Sequence, residues 1–153
     1  MFDKILISRC FLGDKVRYNG EQKRLEQSLI ALWQKQNRLV AICPEVAGGL
    51  PVPREPAELN PANGKVFTQT GVNVSKQFND GAQQSLALCK KHHLRFALLK
   101  ESSPSCGSTF IYDGSFSNKK ITGQGITSRL LTQAGIKVFS EHDLAVLATL
   151  LDQ

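Results

Sequence analysis

Long apolar runs are missing from this sequence. A membrane-spanning helix needs about 20 consecutive apolar residues, and every apolar run here is far shorter. Residues 1–4 lead directly into an apolar stretch and lack the plan of a secretory signal peptide. Lysine–arginine runs, arginine–glycine repeats and aromatic-rich repeats are also absent. We therefore expect a cytoplasmic protein with no membrane partner, and nucleic acid is a disfavoured partner.

Internal repeats, low-complexity segments and linkers are absent from the 153 residues as well. The hydrophobic fraction of 41% and the charged fraction of 21% are ordinary for a soluble globular protein. We expect a single domain over residues 1–153, because this length is enough for one hydrophobic core. The formal net charge of +6 favours anionic partners, such as a nucleotide, but this signal is weak on its own.

Short apolar runs alternate with segments of helical periodicity. The runs that predict strands cover residues 4–9, 39–42, 95–99 and 136–139. Apolar residues recur at helical spacing over about 21–36, after a turn at Asn19-Gly20, and the predicted core face of this first helix is Leu25, Leu29, Leu32 and Trp33. Helical spacing also covers about 75–92, 125–134 and a last helix that Ser140-Glu141-His142-Asp143 caps. This alternation predicts an α/β fold: a three-layer α/β/α domain with a mainly parallel, Rossmann-like sheet and helices on both faces.

The segment 44–56 is too rich in proline and glycine for a helix or a central strand, and we predict an irregular loop with a function. Residues 65–68 and 72–74 predict a small hairpin around Thr70-Gly71. Gly125, before a predicted helix, could bind an anion at the helix N-terminus. The sequence contains neither a dinucleotide fingerprint nor a Walker loop.

Three cysteines share one setting, because each follows a predicted strand. Cys10, Cys43 and Cys106 come after the first, second and third strands, and proline or glycine neighbours mark the loops around them. Open α/β sheets bind ligands at the carboxyl ends of their strands, so we expect these thiols to share a ligand. Cys89 differs, since it lies on the apolar face of a predicted helix, and we interpret it as a packing residue.

Several roles for these thiols stay open. Cytoplasmic cysteines are more often metal-binding or catalytic than disulfide-bonded, and three thiolates can hold zinc or an iron–sulfur cluster. Their spacing matches no local zinc-ribbon or ferredoxin pattern, and the incomplete ligand shell suggests a reaction site. The alternatives are a non-enzymatic iron–sulfur or zinc-binding sensor module, a metal-free enzyme with Cys106 as nucleophile, and three buried apolar thiols.

Polar residues beside these cysteines could take part in chemistry. Glu45, two residues after Cys43, is either a solvated loop carboxylate or a group that moves protons beside a metal site. The serines near Cys106 could bond the turn backbone or orient a substrate. These serines are Ser102, Ser103 and Ser105. The sequence offers no convincing Ser-His-Asp arrangement.

Three separated motifs give the chain a family resemblance. They are Cys10-Phe11-Leu12-Gly13 with Arg17-Tyr18-Asn19-Gly20, Cys43-Pro44-Glu45-Val46 with Gly48-Gly49-Leu50-Pro51-Val52-Pro53-Arg54, and Ser103-Pro104-Ser105-Cys106-Gly107 with Tyr112-Asp113-Gly114. In this order, over roughly residues 4–143, they resemble the small bacterial family that contains the thiouracil desulfidases.

The resemblance implies a [4Fe–4S] cluster held by Cys10, Cys43 and Cys106. It also implies non-redox removal of sulfur, as sulfide, from a small thiolated pyrimidine such as 2-thiouracil, taken as base or nucleotide. In the family's reaction the thiocarbonyl sulfur binds the iron that carries no cysteine, and water completes the hydrolysis. Glu45 matches the family's proton-transfer carboxylate. Ser103 matches its substrate-side serine, with Ser102 and Ser105 as adjacent alternatives.

We accordingly expect a pocket beside the cysteines, walled by Glu45, Ser103 and the Gly48-Gly49 loop. Basic residues near the cysteine loops would line its mouth and meet a phosphate if the substrate is phosphorylated. These residues are Arg9, Lys15, Arg17, Lys23, Arg24 and Lys100.

Overall fold

The computed structural model describes residues 3–12 and 28–151. The strands are β1 (Ile5–Ser8), β2 (Leu39–Ile42), β3 (Ala57–Leu59), β4 (Val66–Thr68), β5 (Phe96–Leu98), β6 (Phe110–Tyr112), β7 (Lys120–Thr122) and β8 (Lys137–Phe139). The α-helices are α1 (Ser28–Lys35), α2 (Pro44–Ala47), α3 (Ser75–His92), α4 (Ile126–Gln133) and α5 (Leu144–Leu151), and 3₁₀ turns cover Arg9–Leu12 and Glu141–Asp143. None of these helices is both long and apolar enough to cross a membrane.

Four strands form a parallel sheet in the order β2-β1-β5-β8. Ile5 of β1 pairs with Leu39 of β2 on one side and with Phe96 of β5 on the other. The chain thus runs from β1 to one edge of the sheet and later returns to the opposite side of β1. Such a reversal is a topological switch point, where open α/β sheets bind their ligands. The predicted α/β fold with a mainly parallel sheet is confirmed.

Helices cover both faces of this sheet, as predicted. Ile5 and Ile7 of β1 contribute to the layer that α1 and α5 cover, whereas Leu6 contributes to the layer that α3 and α4 cover. This split follows from strand geometry, because successive side chains point to opposite faces. Cys89 of α3 is buried in the second layer, which agrees with a packing role.

The predicted irregular loop at 44–56 is wrong at its start, where α2 forms. Pro44 occupies the first helical turn, where its fixed φ suits a helix and its missing N–H costs no hydrogen bond.

The predicted hairpin at 65–74 is only half of a larger unit. β4 bonds Val72 and Val74 as expected, but its ladder partner is β3, which was not predicted. The hairpin of β6 and β7 was missed too.

The core face of the first helix was partly mispredicted. Trp33 is buried, but Leu32 is 46% exposed and Ile30 lies in the core instead. Ile30 and Trp33 are three residues apart and therefore share a helix face, which Leu32 does not. Leu25, the predicted helix start at Glu21 and the Asn19-Gly20 turn lie outside the described residues.

Candidate active site

A cavity of about 730 Å³ lies at the carboxyl ends of β1, β2 and β5. Cys10, Cys43 and Cys106 all line it, and so do Glu45 and Ser103. The structure therefore brings together the five residues that were predicted to form the site. Ser102 also lines the cavity, whereas Ser105 is fully buried and Cys89 lies in the helical layer.

The sheet order explains why these distant cysteines meet. Cys10 lies in the 3₁₀ turn after β1, and Cys43 directly precedes α2 after β2. Cys106 lies in the loop between β5 and β6. Since β2, β1 and β5 are neighbours and parallel strands lie about 5 Å apart, their carboxyl ends deliver the three thiols to one place. All three cysteines are free of disulfides.

The N-terminus of α4 forms hydrogen bonds to the loop that carries Cys106. The N–H groups of Ile126 and Thr127 donate to the carbonyl oxygens of Pro104 and Ser105, at 2.9 Å and 2.8 Å. These are amides that a helix leaves unpaired in its first turn. The prediction that this helix start binds an anion is therefore wrong, because loop carbonyls already occupy the amides.

Gly125 allows this close approach. A Cβ at residue 125 would lie 2.5 Å from the carbonyl of Ser105, so a side chain there would push the loop away. The Ser128 hydroxyl adds a bond of 2.6 Å to the Cys106 carbonyl. The backbone of Cys106 is thereby fixed by contacts that do not involve its thiol.

Glu101, which the sequence analysis did not single out, organises the same loop from within. Its Oε1 accepts the N–H groups of Ser102, Ser108, Thr109 and Phe110 at 3.1, 2.9, 3.1 and 3.1 Å. Burial by itself raises the pKa of the Glu101 carboxyl, but these bonds outweigh burial and lower the pKa below its usual value. A loop glutamate carries no periodicity, so the sequence alone gave no signal for this role.

Lys100 and Glu141 connect this loop to the C-terminal part of the fold. Lys100 Nζ lies 2.9 Å from Glu141 Oε2, and the Glu101 N–H donates to Glu141 Oε1 at 2.8 Å. Burial raises the pKa of the Glu141 carboxyl, but the bonds from the Glu101 N–H and from Lys100 outweigh it and lower the pKa. Glu141 is held at its position by the predicted capping box of Ser140 and Asp143.

Both carboxylate oxygens of Glu45, in α2, are engaged. Oε2 accepts Nε and Nη2 of Arg54 at 3.1 Å and 2.7 Å, and Oε1 accepts the Ser103 hydroxyl at 3.2 Å. The side chains of Glu45 and Arg54 are only 16% and 8% exposed, so water screens this pair weakly. Arg54 belongs to the second of the three sequence motifs, but its pairing with Glu45 was not predicted.

Ser103 links Glu45 to Cys106. Its hydroxyl oxygen accepts the N–H groups of Ser105 and Cys106 at 3.0 Å and 3.1 Å while it donates to Glu45. Ser105 instead pairs with the Thr127 hydroxyl at 2.7 Å in the interior. Of the three serines considered, Ser103 is the one that contacts the carboxylate.

The environment of the thiols disfavours free thiolates. Burial raises the pKa of the Cys106 thiol well above its usual value, and negative charge on Glu45, Cys43 and Cys10 raises it further. Burial also raises the pKa of Cys43. A metal-free nucleophile needs a lowered pKa, so this environment argues against that role for Cys106. A bound metal centre would instead displace the thiol protons.

The donor set suits a cluster better than a single ion. Within residues 3–12 and 28–151, no three His, Cys, Asp or Glu side chains are placed to hold one metal ion. A zinc ion needs its ligands about 2 Å from one point. An iron–sulfur cube offers a separate iron to each cysteine, so its thiolates are spread more widely. Three reduced cysteines around one cavity fit that requirement.

The rest of the lining corrects one expectation. The Gly48-Gly49 loop does not line the cavity, and Leu50 and Pro51 do. Gly48 packs against α3 instead, where a Cβ would lie 1.9 Å from the Gln77 carbonyl oxygen. Arg9 and Lys100 line the cavity as predicted. The other basic residues of that prediction, Lys15, Arg17, Lys23 and Arg24, fall in the part of the chain that the structure does not describe.

Known proteins match this chain over almost its full length. The solved structure of a [4Fe–4S]-dependent thiouracil desulfidase, TudS, superposes with a TM-score of 0.95 at 46% identity and covers 98% of both chains. YbbK of Bacillus subtilis (strain 168), whose name assigns no activity, is 43% identical over 148 residues, which are 92% of this chain and 97% of YbbK. The sequence profile of the 2-thiouracil desulfurases matches residues 5–143. This chain therefore belongs to the 2-thiouracil desulfurase family.

Proposed function

We propose that this protein is a non-redox desulfidase that removes sulfur, as sulfide, from a thiolated pyrimidine such as 2-thiouracil. The observation that carries the proposal is the meeting of Cys10, Cys43 and Cys106 in one cavity beside Glu45. Family membership and the likeness to TudS support it. In the net reaction, a thiocarbonyl and water give a carbonyl and hydrogen sulfide, and no electrons are gained or lost.

Cys10, Cys43 and Cys106 would hold a [4Fe–4S] cluster, each through one thiolate. When bound, the cluster supplies a Lewis-acidic iron with affinity for a soft sulfur atom. The chain's own contribution is a Cys106 loop that is already fixed by α4 and Glu101.

Glu45 and Ser103 would carry out the proton transfers of the hydrolysis. Hydrolysis needs a proton taken from water and protons delivered to the departing sulfide, and a carboxylate at the cavity wall can do both. The Ser103 hydroxyl, which donates a hydrogen bond to Glu45, would orient this carboxylate. Ser103 also lines the cavity and would face the substrate there. General acid–base help of this kind is typically worth about 10²–10⁴-fold in rate.

The cavity would admit the substrate as base or nucleotide. At about 730 Å³ it leaves room beyond a single pyrimidine ring, and Tyr112 and Phe116 in its lining offer aromatic faces. Arg9 and Lys100 in the same lining would contact a phosphate. We also propose that residues 1–153 form one desulfidase domain that works in the cytoplasm, where its thiols stay reduced.

Protein purified without oxygen tests the activity. We expect it to contain iron and acid-labile sulfide, and to release one sulfide for each 2-thiouracil converted to uracil without added reductant. Glu45→Gln should keep its iron but lose about 10²–10⁴-fold in turnover, because an amide cannot accept the proton. Loss of iron would make Glu45 a structural or ligand residue, and normal turnover would place the proton transfer elsewhere.

Two outcomes would redirect the proposal. A loaded protein that releases no sulfide from any thiopyrimidine would favour the non-enzymatic iron–sulfur or zinc-binding sensor module. Equal kcat/KM for 2-thiouracil and its nucleoside monophosphate would contradict the phosphate contact, while leaving the desulfidase assignment intact.

A further inference from the structure

We propose that Arg54 is a positioning residue for catalysis, which acts by fixing the orientation of the Glu45 carboxylate. The inference rests on the proposed function, in which Glu45 handles the protons of hydrolysis. It adds a residue that no sequence motif or comparison assigns to a role. Its basis is the pattern of hydrogen bonds on the two oxygens of Glu45.

Arg54 fills one oxygen of that carboxylate. Oε2 accepts two N–H groups from the guanidinium, at 2.7 Å and 3.1 Å, and these charge-assisted bonds compete with a proton for that oxygen. From residues 3–12 and 28–151, Oε1 accepts one bond, that of the Ser103 hydroxyl at 3.2 Å, and is the less occupied of the two oxygens. The arrangement therefore directs proton transfer to Oε1, the oxygen that Ser103 connects to the Cys106 loop.

Arg54 is itself held in place. Its Nη1 donates to the Pro51 carbonyl at 3.0 Å, so one planar guanidinium joins the loop after α2 to the carboxylate within α2. Its side chain is 8% exposed, and its contact with Glu45 is therefore little weakened by water. A lysine carries the charge but not this fork of donors, so it can restore only part of the orientation.

Double-mutant kinetics test this role. Arg54→Met and Arg54→Lys are made in the native chain and in Glu45→Gln, and each is assayed on uncharged 2-thiouracil in the steady state, for KM, and under single-turnover conditions, for the chemical step. We expect Arg54→Met to lower the rate of the chemical step about 10²-fold, as small displacements of catalytic groups do, with little change in KM. Arg54→Lys should recover part of this loss. In Glu45→Gln the same changes should have almost no further effect, because both residues act through one carboxylate.

Iron content and the affinity for uracil are measured on every variant, and both should match the native protein. Arg95→Met is the matched control, because Arg95 also pairs with a carboxylate, Asp3 at 2.6 Å, but at an exposed site outside the cavity lining. It should leave the rate unchanged. If Arg54→Met does not fold, the Arg54→Lys pair completes the cycle.

Three results would overturn the inference. The first is an unchanged rate in both Arg54 variants. The second is a loss that is equally large in Glu45→Gln, which would mean that Arg54 acts independently of Glu45. The third is a change confined to KM or iron content, which would make Arg54 a substrate-binding or structural residue. A native protein without desulfidase activity would instead refute the proposed function.

Discussion

Cys106 and Cys89 are both buried thiols, yet only Cys106 lines the cavity. Cys89 is 2% exposed among apolar side chains, and burial raises its pKa to about 11, so it stays protonated at neutral pH. Both side chains are almost fully buried, so the loss of either sulfur should cost some packing energy. Only the loss of the Cys106 sulfur should also weaken binding of the cluster.

We expect Cys89→Ala to bind as much iron as the native protein and Cys106→Ala to bind clearly less. The reason is that the Cys106 thiolate is a proposed ligand, whereas Cys89 only fills space. Iron and acid-labile sulfide per protein, with the visible absorbance of anaerobically purified samples, measure the difference. Equal loss from both variants would contradict the ligand assignment.

Single residues also show where the sequence was informative. The setting of Cys10, Cys43 and Cys106 after strands was visible, because strand ends can be read from apolar runs. The partner of Glu45 was not, since Arg54 lies nine residues away in a proline-rich segment without periodicity. The anion site expected at Gly125 failed because sequence does not reveal which carbonyls occupy a helix start.

At the scale of elements, hydrogen bonds hold the loop of residues 99–109 in one conformation. Its carbonyls bond to α4, and three of its N–H groups, together with that of Phe110 in β6, bond to one oxygen of Glu101. Partly buried amides that lose their acceptor cost free energy, so these contacts couple the shape of the loop to a single side chain.

Glu101→Ala should therefore lower the free energy of unfolding by about 3 kcal/mol, because it removes the shared acceptor of four N–H groups whose hydrogen bonds are partly shielded from water. Glu101→Gln keeps one carbonyl oxygen for them and should cost less. Urea unfolding at neutral pH measures both, and Asp80→Ala, which removes an exposed carboxylate from α3, is the control. Similar stability of Glu101→Ala and Asp80→Ala would refute the anchoring role.

Element prediction succeeded where periodicity extends over several residues. The helix at 75–92 could be predicted from its spacing, α4 from its flanking glycines, and the capping box at Ser140 from its residue types. Strands of three residues, such as β3 and β6, contain too few positions to show alternation. The four-residue helix α2 is likewise defined mainly by its packing against α3 and not by its own periodicity.

At the scale of the whole molecule, the loop carboxylates join distant parts of the fold. Glu101 organises the loop after β5, and Glu141 reaches it from the turn after β8 through Lys100. Both carboxyl groups have a lowered pKa in the folded protein. The network therefore links the sheet, the Cys106 loop and the C-terminal helix in a way that depends on pH.

The sign of that dependence follows from proton linkage. A carboxyl whose pKa is lower in the folded chain than in the unfolded chain, where it is near 4.5, binds fewer protons when folded. Its stabilising contribution is complete above the unfolded value and is lost as the pH falls through the folded value. Stability should thus be level near neutral pH and fall below about pH 4.5.

Urea unfolding of the native protein, Glu101→Gln and Glu141→Gln between pH 7 and pH 3 tests this last prediction. Protonation also raises the net charge above its formal +6, which destabilises all three proteins by self-repulsion. The difference in the free energy of unfolding between the native protein and each variant cancels this shared effect of net charge. We expect each variant to be less stable than the native protein at pH 7 and the gap to narrow as the pH drops, because the native carboxyl then loses the charge that the amide never had. A gap that stays constant down to pH 3 would show that the two carboxylates contribute through shape alone.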